Sequence, residues 1–396
     1  YNPAPLDGFT YRWQAGGLWE GGKVVAEGAH AGEHCLRVDD SSTTSAPQVA
    51  YRDELSLSGK PLRLRVWYRT ADEQPALALL SFYDAAGQHV SGRNHHVDLA
   101  GSTQWRLCEA TGGSPPDGAV TAKLSLLGCQ WTPEGEKTGT VWVDDISLWD
   151  TGTGQELVVN GGLEETPSLQ GDLVSLDWSR WDEAMARAIE RYHFGSFLLS
   201  VPGLGGGTFH ERQLGSLCGY EQGTPEHEAL FSAWCGAVRD HLAAKGLMGK
   251  AVVYPFDEPD EKDYAFVVDQ LRLLGRHFPG LLRMVPMNLG AADTFVGHID
   301  RWCPLMSTHS PRFAAQRKQA GDLYTWYICC APKAPYVANF IDRPATDMRL
   351  WLWQTWHEQV DGVLIWETTW WTSGAAYPET PQNPYLDSMS WVDGYG

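Results

Sequence analysis

The chain has 396 residues, with 30 Lys plus Arg against 49 Asp plus Glu and a formal net charge of −19. That length exceeds one ordinary domain, and that charge argues against nucleic acid or an anionic membrane as partner, since both call for clustered cations. No apolar run is long enough to cross a bilayer. Tyr1 opens without a basic n-region and an apolar h-region, so no signal peptide is visible and the chain reads as processed or trimmed.

Residues 1–150 read as a β-sandwich of the jelly-roll kind. Short alternating segments recur there: Leu62 to Tyr68, Ala76 to Tyr83, Trp105 to Glu109, Ala119 to Leu127 and Thr140 to Trp149. Turn-forming stretches such as Gly112-Gly113-Ser114-Pro115-Pro116-Asp117-Gly118 separate them. Residues 151–172, rich in Gly, Thr and Glu, read as a linker. From 173 to 396 helical and apolar strand segments alternate. Trp181 to Tyr192, His227 to Lys245, Tyr264 to His277 and Ala345 to Val360 read as helices. Phe197 to Val201, Ala251 to Tyr254, Leu282 to Pro286, Leu323 to Cys330 and Gly362 to Trp366 read as strands. That alternation predicts parallel βα units and a TIM-type (β/α)8 barrel, left incomplete here because fewer than eight clear strands occur.

The eight cysteines (Cys35, Cys108, Cys129, Cys218, Cys235, Cys303, Cys329 and Cys330) match no zinc spacing and read as free thiols, Cys329-Cys330 included. The chain also carries 19 Trp, 15 Tyr and 42 Gly. Aromatic faces stack on the C–H faces of sugar rings and carboxylates bond hydroxyls, so this composition leans towards carbohydrate; Trp also simply fills cores.

Strand Ala251 to Phe256 is apolar and ends in Asp257-Glu258-Pro259. Residues at the C-terminal end of a barrel strand face the active site. Burial and mutual repulsion would keep one of two adjacent acids protonated, as a general acid requires. Pro259 restricts Glu258 to an extended conformation, and Asp260 fits the cap of the following helix. Candidate subsite residues are Tyr254, Trp326, Tyr327, Trp366, Trp370 and Trp371 as walls. Asn288, His309 and Lys333 would bond hydroxyls, as would His210 after the Gly205-Gly206-Gly207 loop. Neighbours on a strand point apart, so half of these are expected to be core. Trp351, Trp353 and Trp356 lie on a helix and read as packing.

Two stretches resemble glycoside hydrolase family 123. One is Tyr254-Pro255-Phe256-Asp257-Glu258-Pro259-Asp260. The other runs from Trp326-Tyr327-Ile328-Cys329-Cys330-Ala331-Pro332-Lys333 through Phe340-Ile341-Asp342 and Trp351-Leu352-Trp353-Gln354-Thr355-Trp356 to Asp361-Gly362-Val363-Leu364-Ile365-Trp366-Glu367-Thr368-Thr369-Trp370-Trp371. The resemblance covers Leu176 to Gly396 and implies an exo-acting, retaining β-N-acetylgalactosaminidase, secreted or periplasmic by its substrate class and needing no cofactor. In that scheme the 2-acetamido oxygen attacks the anomeric carbon, Asp257 orients the acetamido group, and Glu258 is general acid and then base. Two alternatives stay open. Glu258 could be acid/base with Glu367 as covalent nucleophile on a 2-hydroxy sugar; Glu367 otherwise contacts a sugar hydroxyl. The barrel could also be a non-catalytic glycan-binding protein. The β-rich half is similar to carbohydrate-binding jelly rolls through Gly16-Gly17-Leu18-Trp19-Glu20 and Val141-Trp142-Val143-Asp144-Asp145-Ile146-Ser147-Leu148. Such modules imply a structural Ca²⁺ on Glu20 and Asp145, with Asp144 as a third candidate. Asn160-Gly161-Gly162-Leu163-Glu164 also resembles a module opening, though no second module follows.

Overall fold

The structure is a computed structural model, and it describes residues 10–13, 17–42, 46–90, 92–130, 137–165, 169, 172–207, 212–329, 331–339 and 343–365. The period-two pattern predicted for the first half is realised in the strand Leu62–Thr70, where Leu62, Leu64, Val66 and Tyr68 are buried and Arg63 and Arg65 are exposed. Two antiparallel sheets result. One orders Arg106–Thr111, Leu62–Thr70, Gly139–Asp150, Cys35–Asp40 and Lys23–Val25; the other orders Trp19–Glu20, Val49–Tyr51, Thr121–Leu127, Ala76–Tyr83 and His95–Leu99. Leu64, Val66, Leu80, Phe82, Leu124, Val143 and Leu148 meet between them, each such side chain contributing about 1.5–3 kcal/mol by leaving water.

The expected linker belongs instead to the sandwich. Gln155–Glu156 pairs back onto Gly139–Asp150, and Val158 and Leu163 sit in the sandwich core. The Glu156 carboxylate accepts the Leu148 N–H at 2.7 Å and the Val158 N–H at 3.1 Å. The Asn160-Gly161-Gly162 stretch has its own packing reason. Ile146 N–H donates to the Gly161 carbonyl at 2.8 Å, and a Cβ on Gly161 would lie 1.8 Å from the Ile146 oxygen. The apolar signal there (Leu157, Val158, Val159 and Leu163) is too short to outweigh the turn-rich composition around it.

The N-terminal boundary also shifts. Thr10–Trp13 pairs with Val174–Asp177, and Leu18 packs with Leu173, Trp181 and Trp234 in the second core. The sandwich abuts this unit through Val24 N–H to the Gly219 carbonyl at 2.8 Å, Ser216 Oγ to the Gly22 carbonyl at 3.2 Å, and an ion pair between Lys23 and Glu221 at 3.5 Å.

The second unit is a six-stranded parallel sheet ordered strictly along the chain: Phe197–Leu198, Ala251–Val253, Leu282–Met287, Arg301–Pro304, Leu323–Tyr327 and Gly362–Leu364. Helices Pro225–Ala244, Tyr264–His277, Pro311–Gln319 and Thr346–His357 connect successive strands. Among the described residues this is a half-barrel; the closed eight-stranded barrel is not formed. Strand Arg301–Pro304 and helix Pro311–Gln319 are additions to the sequence reading. The strand is short and Pro-terminated. The helix starts at a Ser310 cap whose hydroxyl accepts the Phe313 N–H at 3.3 Å. No described helix is long and apolar enough to cross a membrane.

Alternation splits the sheet into two layers. Val252, Met284, Cys303 and Tyr327, with Tyr254 packed against them, face one way. Phe256, Val285, Met287, Trp302, Tyr324 and Trp326 face the helices. Within helix Thr346–His357 the packing expectation holds for Trp351, which is fully buried, and fails for Trp353 and Trp356, which are 63% and 75% exposed. A 3.6-residue period can turn only one stripe of a helix to the sheet. Trp353 and Trp356 line, with Arg349 and Leu352, a cavity of about 340 Å³.

Candidate active site

Asp257 and Glu258 follow the second parallel strand at its C-terminal end, both exposed to solvent. The expectation that they are buried is therefore corrected. Glu258 also departs from the extended conformation that Pro259 favours: its φ is +35°, in the left-handed region. Such a backbone costs a non-glycine residue about 1–3 kcal/mol and persists where its surroundings over-determine it. Here the Glu258 N–H donates to the Pro286 carbonyl at 3.1 Å, anchoring the turn to the neighbouring strand. The turn undoes strand alternation, so the two neighbouring acids reach the same layer of tyrosines.

Tyr254 and Tyr327 both face that inner layer. The Tyr254 hydroxyl donates to Asp257 Oδ1 and the Tyr327 hydroxyl to Glu258 Oε1. Burial first, then the bonded carboxylate, pushes both phenols far above their ordinary pKa. Each therefore keeps its proton and remains a donor. Each phenol also feels the other acid's charge, so the four groups form one electrostatic cluster. Among the described residues Asp257 Oδ2 and Glu258 Oε2 take no hydrogen bond. A site of this kind can hold a polar group on one acid and pass a proton through the other.

The other candidate residues separate. Trp326 faces the helices and donates its indole N–H to Thr355 Oγ1 at 3.0 Å, so its assignment as a subsite wall is corrected; strand alternation puts it opposite Tyr327. His309 likewise packs on the helix side, edge-on to Tyr324 and Trp326 and 3.5 Å from the Glu358 carboxylate. Burial lowers its pKa, and a hydroxyl-binding role for it is corrected too. Asn288 and Lys333 are exposed just beyond the third and fifth strands, and among the described residues neither makes a side-chain hydrogen bond or ion pair to the acid pair. His210, Trp366, Glu367, Trp370 and Trp371 lie outside the described residues, as does Cys330. Asp260 stands at the cap position of the turn Glu261–Asp263 and accepts the Asp263 N–H with its carbonyl at 2.8 Å, without a side-chain cap bond.

Two residues that carried no signal in the sequence join the site from behind. Arg212 lies on the short strand Arg212–Gln213, and its Nη2 donates to the Asp257 carbonyl at 3.4 Å. Its Nε lies 3.2 Å from Asp263 Oδ2. Their separation along the chain hides such a pair from any local pattern.

In the sandwich, the expected Glu20–Asp145 pair is not brought together. Glu20 is ion-paired with Arg52. Asp145 lies with Asp144 and His30 in the cluster of possible ligands found among the described residues. The Asp144 carboxylate already accepts the N–H groups of His30 at 2.8 Å, Ala31 at 3.1 Å and Asp145 at 2.7 Å. Asp145 Oδ2 is 2.8 Å from His30 Nδ1. The Glu20–Asp145 pairing expected for Ca²⁺, which takes six to eight oxygen ligands, is thus not formed, and most of the Asp144 and Asp145 oxygens are engaged by N–H donors and an imidazole.

No curated protein matches the chain. Among solved structures it is similar to a family 123 glycoside hydrolase from Clostridium perfringens, analysed for glycolipid glycan hydrolysis. That match has 12% identity and a TM-score of 0.37, and covers 80% of this chain and 74% of the other. A family 16 carbohydrate-binding module matches at 13% identity and a TM-score of 0.25, covering 34% of this chain and 89% of the module. The enzymatically active domain of bacteriophage CBA120 tailspike protein 4 matches at 11% identity and a TM-score of 0.26, covering 36% of this chain and 19% of the tailspike. Residues 209–394 match the model of the glycoside hydrolase 123 catalytic domain. That span contains Asp257, Glu258, Tyr254 and Tyr327, so the candidate site lies within the part of the chain that is similar to the glycoside hydrolase 123 catalytic domain.

Proposed function

We propose that the chain is an exo-acting, retaining β-N-acetylgalactosaminidase that uses the substrate's own acetamido group as nucleophile. The observation that carries this reading is the adjacency of Asp257 and Glu258, each held through one oxygen by the phenol of Tyr254 or Tyr327. Two carboxylates on neighbouring residues cannot flank a sugar from opposite faces, as the two-carboxylate scheme requires. They can serve one face together. Asp257 Oδ2 accepts the acetamido N–H and aligns the amide. The acetamido oxygen attacks the anomeric carbon, the bond to the aglycone oxygen breaks, and that oxygen takes a proton from Glu258. Glu258 then takes a proton from water, the resulting hydroxide equivalent opens the oxazolinium ring at the anomeric carbon, and the configuration is retained. Tyr254 and Tyr327 stay protonated throughout and fix the second oxygen of each acid. The nucleophile comes from the substrate, so the reaction calls for no cofactor. A glycan or glycoconjugate is the partner, and a substrate of that kind suits a secreted or periplasmic enzyme.

The test compares aryl β-N-acetylgalactosaminide with aryl β-galactoside, and adds a thiazoline that mimics the oxazolinium ion. Release from the 2-acetamido substrate alone, with tight thiazoline inhibition, supports the proposal. Comparable cleavage of the 2-hydroxy sugar overturns substrate assistance in favour of Glu258 with Glu367 as nucleophile. Binding without turnover on both overturns catalysis.

A further inference from the structure

Arg212 sits behind the acid pair with its side chain only 6% exposed, and its partner Asp263 is 7% exposed. Removing either member of a buried guanidinium–carboxylate pair is costly, because it leaves an uncompensated buried charge. This pair also does more than neutralise charge. The same guanidinium donates to the Asp257 carbonyl at 3.4 Å and lies 5.5 Å from the centre of the Phe256 ring. Asp257 opens the acid-bearing loop and Asp263 closes it, ending the turn Glu261–Asp263 that leads into helix Tyr264–His277. One planar side chain thus grips both ends of the loop. Between them stands Glu258 at φ +35°, a conformation that the sequence before Pro259 does not favour.

We propose that Arg212 is the positioning residue of the acid pair: it holds the Asp257–Asp263 loop so that Glu258 and Asp257 stay on their tyrosine donors. The proposal rests on the glycosidase reading above. Its chemistry is specific to arginine. The fork of the guanidinium meets a carboxylate and a carbonyl at once while its face lies against a ring, whereas a lysine ammonium is a single point of charge. Arg212→Lys keeps the charge beside Asp263 and gives up the rest. Asp263→Glu keeps the charge and pushes the carboxylate one methylene along.

The experiment measures kcat, KM, the pH dependence of kcat and the thermal midpoint of both variants on an aryl β-N-acetylgalactosaminide. Misplacing reacting groups by about an ångström can cost on the order of a hundredfold. The expected result is a kcat about ten- to a hundredfold lower for Arg212→Lys, with KM within about twofold and a displaced acid limb of the pH profile. A purely structural ion pair would lower the thermal midpoint and leave kcat and the pH profile of the folded fraction unchanged, which would overturn the proposal. Should Arg212→Lys not fold, Asp263→Glu carries the same comparison. A wild-type chain inert on every aryl glycoside would defeat the glycosidase reading itself, and wild-type turnover with unaffected variants would defeat this inference alone.

Discussion

Each half of the molecule holds two adjacent acids with the second in a left-handed conformation: Asp144-Asp145 in the sandwich, with φ +46° at Asp145, and Asp257-Glu258 at the mouth of the parallel sheet, with φ +35° at Glu258. The local backbone is similar and the surroundings are opposite. Asp144 is fully buried, and its oxygens are taken by three main-chain N–H groups, while Asp145 is paired with a His30 ring that stacks on Trp67 at 3.8 Å. Burial outweighs those hydrogen bonds and leaves Asp144 with a raised pKa. At the sheet mouth both carboxyls are exposed and each is met by one phenol. An acid whose two oxygens are both engaged by backbone holds a fold together. An acid steadied through one oxygen keeps the other for a substrate.

The comparison can be broken most severely at Glu258. Glu258→Gln is expected to lower kcat by about 10²- to 10⁴-fold, the range of a lost general acid, with an unchanged thermal midpoint; a loss of only a few-fold would show that the mouth pair is not the reacting one. Tyr327→Phe removes the donor to Glu258. A hydrogen bond to a charged group contributes about 1.5–3 kcal/mol, so kcat should fall about ten- to a hundredfold, read with the same aryl substrate. Asp144→Asn is the mirror experiment. It sets an amide against backbone N–H groups and should destabilise the fold by about 1–3 kcal/mol in urea titration, while kcat per folded molecule stays within about twofold.

A smaller effect concerns pH. Burial lowers the pKa of His227, whose Nε2 lies 2.8 Å from the Gly203 carbonyl, and lowers those of His277 and His309 as well. The unfolded chain therefore binds protons at these positions that the native state refuses. Stability should be retained at neutral pH and fall as pH drops below the ordinary histidine value of about 6.5, levelling off beneath the native pKa. His227→Gln should flatten that slope in thermal scans between pH 7.5 and 5; an unaltered slope would remove His227 from the account.

Much of this was legible along the chain. Strand Ala76–Tyr83 and helix Tyr264–His277 stand where periodicity placed them, because a pattern of period 2 or 3.6 satisfies one local geometry and not the other. The acid pair and both tyrosines were legible as types at a strand end. The pairing of Tyr254 with Asp257 and of Tyr327 with Glu258 was not, since it depends on which side of the sheet Tyr327 faces and on a turn that Pro259 argues against. Trp326 and His309 misled for the same reason: an aromatic or imidazole beside a strand end has the same composition whether it faces helices or substrate.

The sequence by itself determined where most of the strands and helices form, that the chain is acidic and Trp-rich, and that two acids close an apolar strand, because propensity and hydrophobic period act over a few residues. Tertiary structure alone decided that 151–165 completes the sandwich, that Asp144 is committed to backbone donors, and that Arg212 and Asp263 meet behind the acids. These outcomes depend on contacts between residues distant in the chain, and burial at such contacts sets which polar groups must be answered and which remain available.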